Sequence, residues 1–150
     1  MRRIVPLLAG LALLSAAGSA FAHCQVPCGI YDDPARIAAM REDAQTIAKA
    51  ITQINELGAK HDILAINQSV RWINTKEQHA SNVIATVSEY FLTQKLKPVA
   101  MDADGYDEYL AQLAAHHAVM RAAMTCKQTV DPASAEALSK AIDGIAGYWK

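Results

Sequence analysis

His23 and Cys24 are adjacent, Cys28 follows four residues after Cys24, and Pro27 and Gly29 flank that second cysteine. A histidine and two thiols this close can gather around one metal ion, because imidazole nitrogen and thiolate sulfur both bind the later first-row metals. The spacing also admits a plainer outcome. In an oxidising compartment Cys24 and Cys28 can close a small disulfide loop, and Cys126, the last of the chain's 3 cysteines, is then left over. Spacing alone does not choose between metal and disulfide.

The residues upstream change the chemistry. Met1-Arg2-Arg3 is positive, the run from Ile4 to Leu14 is apolar but too short to span a bilayer, and Ala20-Phe21-Ala22 has the form of a peptidase site. Residues 1–22 therefore read as an export signal, giving a periplasmic or secreted product. His23 stands where a lipoprotein signal needs a small residue, and the surroundings of Arg2-Arg3 support twin-arginine export only weakly. Cleavage after Ala22 leaves His23 with a free α-amine. That amine, the amide nitrogen between His23 and Cys24, and the Cys24 sulfur can form fused chelate rings. A turn at Pro27 can bring the Cys28 sulfur to the fourth position. Two nitrogens and two thiolates in a plane suit Ni(II) or Cu(II), whereas a closed tetrahedral set suits zinc. The His23 imidazole is placed to serve as a fifth, axial ligand. Thiolates donate charge and lower the potential of a metal that otherwise resists oxidation, so this set fits a redox centre.

The stretch His23-Cys24-Gln25-Val26-Pro27-Cys28-Gly29-Ile30-Tyr31 resembles the N-terminal nickel hook of nickel-containing superoxide dismutases, H-C-x-x-P-C-G-x-Y, at every fixed position. The resemblance implies nickel cycling between Ni2+ and Ni3+, superoxide as substrate, and disproportionation to dioxygen and hydrogen peroxide. It implies a homohexamer of helical bundles. The His23 amine and imidazole, the Cys24 amide and thiolate, and the Cys28 thiolate would hold nickel. Tyr31 would stand near the open face and limit or orient the small anion, with Pro27 and Gly29 shaping the turn. Two departures stand out. The family places Asp-Pro directly after the tyrosine, while this chain has Asp32-Asp33-Pro34. The family's glutamate that orients the axial histidine falls on Ala38, and the arginine that holds that glutamate falls on His79 or nearby. Glu42, Glu77 and His79 are the candidates to orient His23, a task that partners beyond the ligands perform at metal sites.

Behind the hook the pattern is helical. Asp33-Pro34 reads as a helix start, with Asp as cap and Pro at the first position. Ile37, Met40, Ala44, Ile47, Ile51 and Ile54 then form one stripe that stops near Gly58. A second helix runs from about Asp62 to Leu96, with Ile63, Ile66, Val70, Ile73, Ala80, Val83 and Val87 on one side and Pro98 ending it. After the turn Asp102-Ala103-Asp104-Gly105, a third carries Tyr106, Leu110, Leu113, His117, Met120 and Met124. Asp131-Pro132 starts a fourth, with Ala135, Leu138, Ile142, Ile145 and Trp149. No segment alternates as a strand does. The fold expected is all-α, an antiparallel four-helix bundle over residues 34–150, preceded by a hook loop at residues 23–33.

Composition narrows the function. The whole chain carries a net charge of −1, and losing the two signal arginines makes it more negative, which argues against a nucleic-acid partner. No second long apolar run exists, so no membrane association is expected after signal removal. Arg36, Arg41 and Lys76 could focus an anion near the hook, but each reads more simply as a solvated helix residue. The His117, Met120 and Met124 face could bind Cu(I), yet it continues an apolar stripe and reads as core. Cys126 reads as an inert buried thiol. Trp72, Tyr90, Phe91, Tyr148 and Trp149 read as core or subunit-contact anchors, and Asp102 and Asp104 as the lead-in to a helix. Two other functions compete with an enzyme: an exported bundle that binds copper or nickel without turnover, and a bundle whose Cys24–Cys28 pair is oxidised and silent.

Overall fold

The computed structural model describes residues 25–150. The expected signal at residues 1–22, His23 and Cys24 lie outside the described residues. Every regular element among those described is helical: α1 (Asp33–Gly58), α2 (Ile63–Ala85), a π-helical segment (Thr86–Lys95), α3 (Tyr106–Gln128) and α4 (Pro132–Ala146). α1 packs on α2 and α4, and α3 packs on the same two, so the four α-helices close an up-down-up-down bundle. No described helix is long and apolar enough to cross a membrane.

Local chemistry sets the helix starts. Asp62 Oδ1 accepts from the Ala65 amide at 2.8 Å and Asp131 Oδ1 from Ala133 at 3.0 Å, each satisfying an amide the helix cannot. At α1 the cap lies one residue earlier than the sequence pattern indicates. Asp32, not Asp33, accepts from the Ala35 amide at 3.0 Å, and Pro34 takes the second helical position, where its missing N–H costs nothing. Gly105 opens α3 at φ +89°, a left-handed conformation that glycine adopts without strain.

Ile37, Met40, Ala44, Ile47 and Ile51 of α1 meet Leu138, Ile142 and Ile145 of α4 in one core, as their stripes predict. Burying each of the larger side chains is worth about 2 kcal/mol. Two stripes differ from expectation. Along α2 from Ile63 to Lys76 the inward residues are Ala65 and Lys76, while Ile63, Ile66, Val70 and Ile73 remain exposed. In α3 the buried face is His116, Val119, Ala123 and Cys126; Leu110 and His117 are exposed, and Met120 and Met124 are only partly covered. The second helix also ends differently. From Thr86 the winding widens to π, and the Leu96 amide donates to the Phe91 carbonyl, five residues back, at 2.8 Å. Val87, Tyr90, Phe91 and Gln94 stay buried within that wider turn.

Candidate metal centre and its surroundings

Within the hook, the Ile30 amide donates to the Pro27 carbonyl at 3.1 Å, closing a tight turn over Cys28 and Gly29. Gly29 has φ +79°, as the third residue of a type II turn requires. A Cβ added at Gly29 would meet nothing within 4 Å, so the backbone alone calls for glycine here. The Val26–Pro27 peptide is cis. Cys28 is exposed on this turn, as suits a thiol that is to bind a metal. Cys126 has the opposite setting: it is buried, its thiol donates to the Ser134 carbonyl, and burial pushes its pKa up. It is the inert thiol its sequence context indicates. Among the described residues, no three or more His, Cys, Asp or Glu side chains converge to hold a metal ion. Thiolate sulfur at Cys28 is the donor type that a nickel or copper site of mixed nitrogen and sulfur takes, so the residue present fits such a metal.

Tyr31 and the residues after it belong to the bundle, and they form a compact set. The Tyr31 ring is met edge-on by Tyr90, with centroids 5.7 Å apart and planes at 84°. The Lys95 ammonium lies 4.4 Å from the Tyr31 centroid, close enough for a cation–π contact. Lys95 also pairs with Asp33 Oδ2 at 3.0 Å, and the Tyr90 hydroxyl donates to Asp33 Oδ1 at 2.6 Å. On Tyr90 the Arg36 guanidinium sits 5.2 Å from the ring centroid. Burial, then the hydrogen bond to Asp33 and its negative charge, push the Tyr90 pKa up to about 12. Its hydroxyl is therefore protonated at neutral pH and committed to Asp33.

The three cations considered from sequence have other duties or partners. Arg36 stacks on Tyr90, and Arg41 pairs with Asp143 at 2.7 Å. Lys76 is not a solvated helix residue: it is 3% exposed, and its ammonium donates to the carbonyls of Cys126 at 2.6 Å and Lys127 at 2.8 Å. Those carbonyls end α3 without helical partners, which is why a buried amine is tolerated there. Lys95, absent from that sequence-based set, is the cation that reaches Tyr31.

The candidates to orient His23 are each placed. His79 Nδ1 lies 2.6 Å from Asp43 Oδ1, joining α2 to α1. Glu77 bonds Lys76 at 3.1 Å and pairs with Lys127 at 3.6 Å, so it serves the end of α3. Glu42 is exposed on α1. Sequence reasoning passed over Asp43, since nothing in its spacing distinguishes it from any other acid on a helix.

It also passed over His116, having favoured its neighbour. His116 is fully buried; its Nδ1–H donates to the Gln112 carbonyl at 2.7 Å, and Nε2 accepts from the Trp149 indole N–H at 3.0 Å. Both ring nitrogens are committed in the neutral form, and burial holds the pKa below the usual 6.5. The ring packs among Phe91, Tyr148 and Trp149. Of the expected aromatic anchors, Tyr90 and Phe91 are buried and Trp149 packs against the core, while Tyr148 is exposed and Trp72 is half-buried beside Lys49.

A family model described as nickel-containing superoxide dismutase matches residues 18–150, spanning both the hook and the bundle. No curated protein and no solved structure matches the chain.

Proposed function

The chain belongs to the nickel-containing superoxide dismutase family and is a nickel-dependent oxidoreductase, and we propose that it disproportionates superoxide at a nickel ion held by the hook. The observation that carries this is the family match, which covers the bundle as well as the H-C-x-x-P-C-G-x-Y stretch. The ligands are the His23 amine and imidazole, the Cys24 amide and thiolate, and the Cys28 thiolate. Nickel supplies the alternation of oxidation state by which one superoxide loses an electron and a second gains it. With two protons consumed, the products are one dioxygen and one hydrogen peroxide.

The chain's own groups have separable tasks. Left-handed Gly29 shapes the turn that carries Cys28. Tyr31, the last residue of the motif, would limit access of the small anion. Lys95 stands at the Tyr31 ring with its charge balanced by Asp33, and Arg36 lies against Tyr90. Tyr90 does not feed protons, because its hydroxyl is held by Asp33. The ligand set requires a free amine on His23, so the proposal includes export, removal of residues 1–22, and action in the periplasm or outside the cell. It also includes assembly as a homohexamer.

Mass spectrometry of the purified native chain tests this, giving its first residue and its bound metal together, alongside superoxide consumption with nickel and with copper. The expected result is a chain beginning at His23, one nickel per chain, and activity with nickel alone. Cys28→Ser should abolish nickel binding and activity with the far-ultraviolet circular dichroism unchanged. A nickel-replete, active Cys28→Ser enzyme would refute the hook.

A further inference from the structure

Tyr90 and Lys95 stand five residues apart, which in an α-helix would turn their side chains roughly 140° away from each other. Here both reach one carboxylate, Tyr90 at Asp33 Oδ1 and Lys95 at Oδ2. The π winding of Thr86–Lys95 reconciles these facts, since a helix closed by i→i+5 bonds turns less per residue and brings side chains five apart closer to one side. Side chains reinforce that period: the Thr93 hydroxyl donates to the Ser88 carbonyl at 2.6 Å, and the Gln94 amide to the Glu89 carbonyl at 3.0 Å. The Lys95 and Asp33 side chains are 21% and 16% exposed, so water screens the pair less than it screens a surface ion pair. Held there, the ammonium faces the Tyr31 ring at 4.4 Å while Tyr90 meets it edge-on.

We propose that Lys95 is a positioning residue for Tyr31, set in place by the π winding and by Asp33. The inference rests on the reaction proposed above for its consequence in turnover, but not for its geometry. Tyr31 is 40% exposed, so the core does not fix its ring. The Tyr90 edge and the Lys95 charge are its ring and cation contacts. Removal of the charge loosens that hold, and the ring then samples other rotamers.

The test places fluorotyrosine in the chain and follows the Tyr31 resonance by fluorine NMR, without nickel, assigning it with Tyr31→Phe. Lys95→Gln should move that resonance toward its unfolded-chain position, and Lys95→Arg should hold it near wild type, because a guanidinium keeps a cation on the ring. Lys95→Met is the second neutral variant should Lys95→Gln not fold. In the nickel-loaded enzyme the neutral variant should lower kcat by about fivefold, the scale of one cation–π contact, with nickel content unchanged and with rescue by Lys95→Arg. A Tyr31 resonance unmoved by loss of the charge overturns the positioning role, whatever happens to the rate. A wild-type chain that binds nickel yet consumes no superoxide overturns the proposed reaction instead, and leaves the resonance test standing.

Discussion

Asp33→Asn removes a charge and almost no volume, and the Tyr90 phenol should register the change. In the wild-type protein that phenol is pushed up to about 12 from an ordinary 10.0. Burial contributes most, then the hydrogen bond to Asp33, then the Asp33 charge; the Asp32 backbone and Arg36 pull the other way. A rise of this size is worth ~3 kcal/mol in favour of the neutral phenol. Asparagine keeps an acceptor for the hydroxyl but not the charge, and the burial is untouched. The midpoint should therefore fall by less than the full rise and stay above its ordinary value. The sign for stability follows: a raised pKa gives stabilisation that is complete below about pH 10 and is lost as pH climbs toward about 12. In Asp33→Asn that window should narrow from its upper end. Tyrosinate absorbance against pH measures this, and because the chain has 5 tyrosines the Tyr90 signal is obtained by subtracting Tyr90→Phe. An identical Tyr90 midpoint in wild type and Asp33→Asn would show that the hydroxyl does not rest on Asp33 in solution.

Two further outcomes are expected. Gly29→Ala meets no steric obstacle, but must hold alanine at φ +79°, a strain of ~1–2 kcal/mol; nickel affinity, measured by chelator competition, should fall about tenfold, and unchanged affinity would mean the turn is not needed for binding. His116 has its pKa lowered by burial, so its contribution to stability is complete above about pH 6.5 and is lost as pH falls through the lowered folded value; thermal melts should show this acid loss in wild type and its attenuation in His116→Gln, and an equal loss in both would assign it to other groups.

Much of the scaffold was legible because its signals are local. A cap at Asp62 or Asp131 depends on a side chain and an amide three or fewer residues away, and the stripes of α1 and α4 each offer one apolar face. α3 offers two. Tyr106, Leu110, Leu113, His117, Met120 and Met124 make the more apolar one, yet the chain buries His116, Val119, Ala123 and Cys126. The buried set is smaller, apart from a histidine, and it receives Phe91 and Trp149, which fill the space that large side chains on α3 would otherwise occupy. That choice is made by partners distant in sequence and leaves no trace in spacing. Lys76 is illegible for the same reason: its acceptors are carbonyls 50 and 51 residues away. The turn at Cys28 and Gly29 was legible in its residue types, since a glycine at position 29 suits its positive φ.

The extra aspartate between Tyr31 and Pro34 departs from the family pattern, and the π segment departs from the helix expected there; the two meet at one contact. A single aspartate would have one carboxylate for two tasks. It could cap α1, as Asp32 does by accepting from Ala35, or it could receive Tyr90 and Lys95, as Asp33 does with its two oxygens. Adjacent aspartates divide these tasks, one outside the helix and one in its first turn. Asp33 can hold both partners only if residues 90 and 95 come to the same side, and an α-helical end would separate them. The π winding supplies that register, and Tyr31 is bounded by the side chains it brings. The added acid and the widened helix therefore meet in one set of contacts, Asp33 with Tyr90 and Lys95, beside the tyrosine that ends the motif.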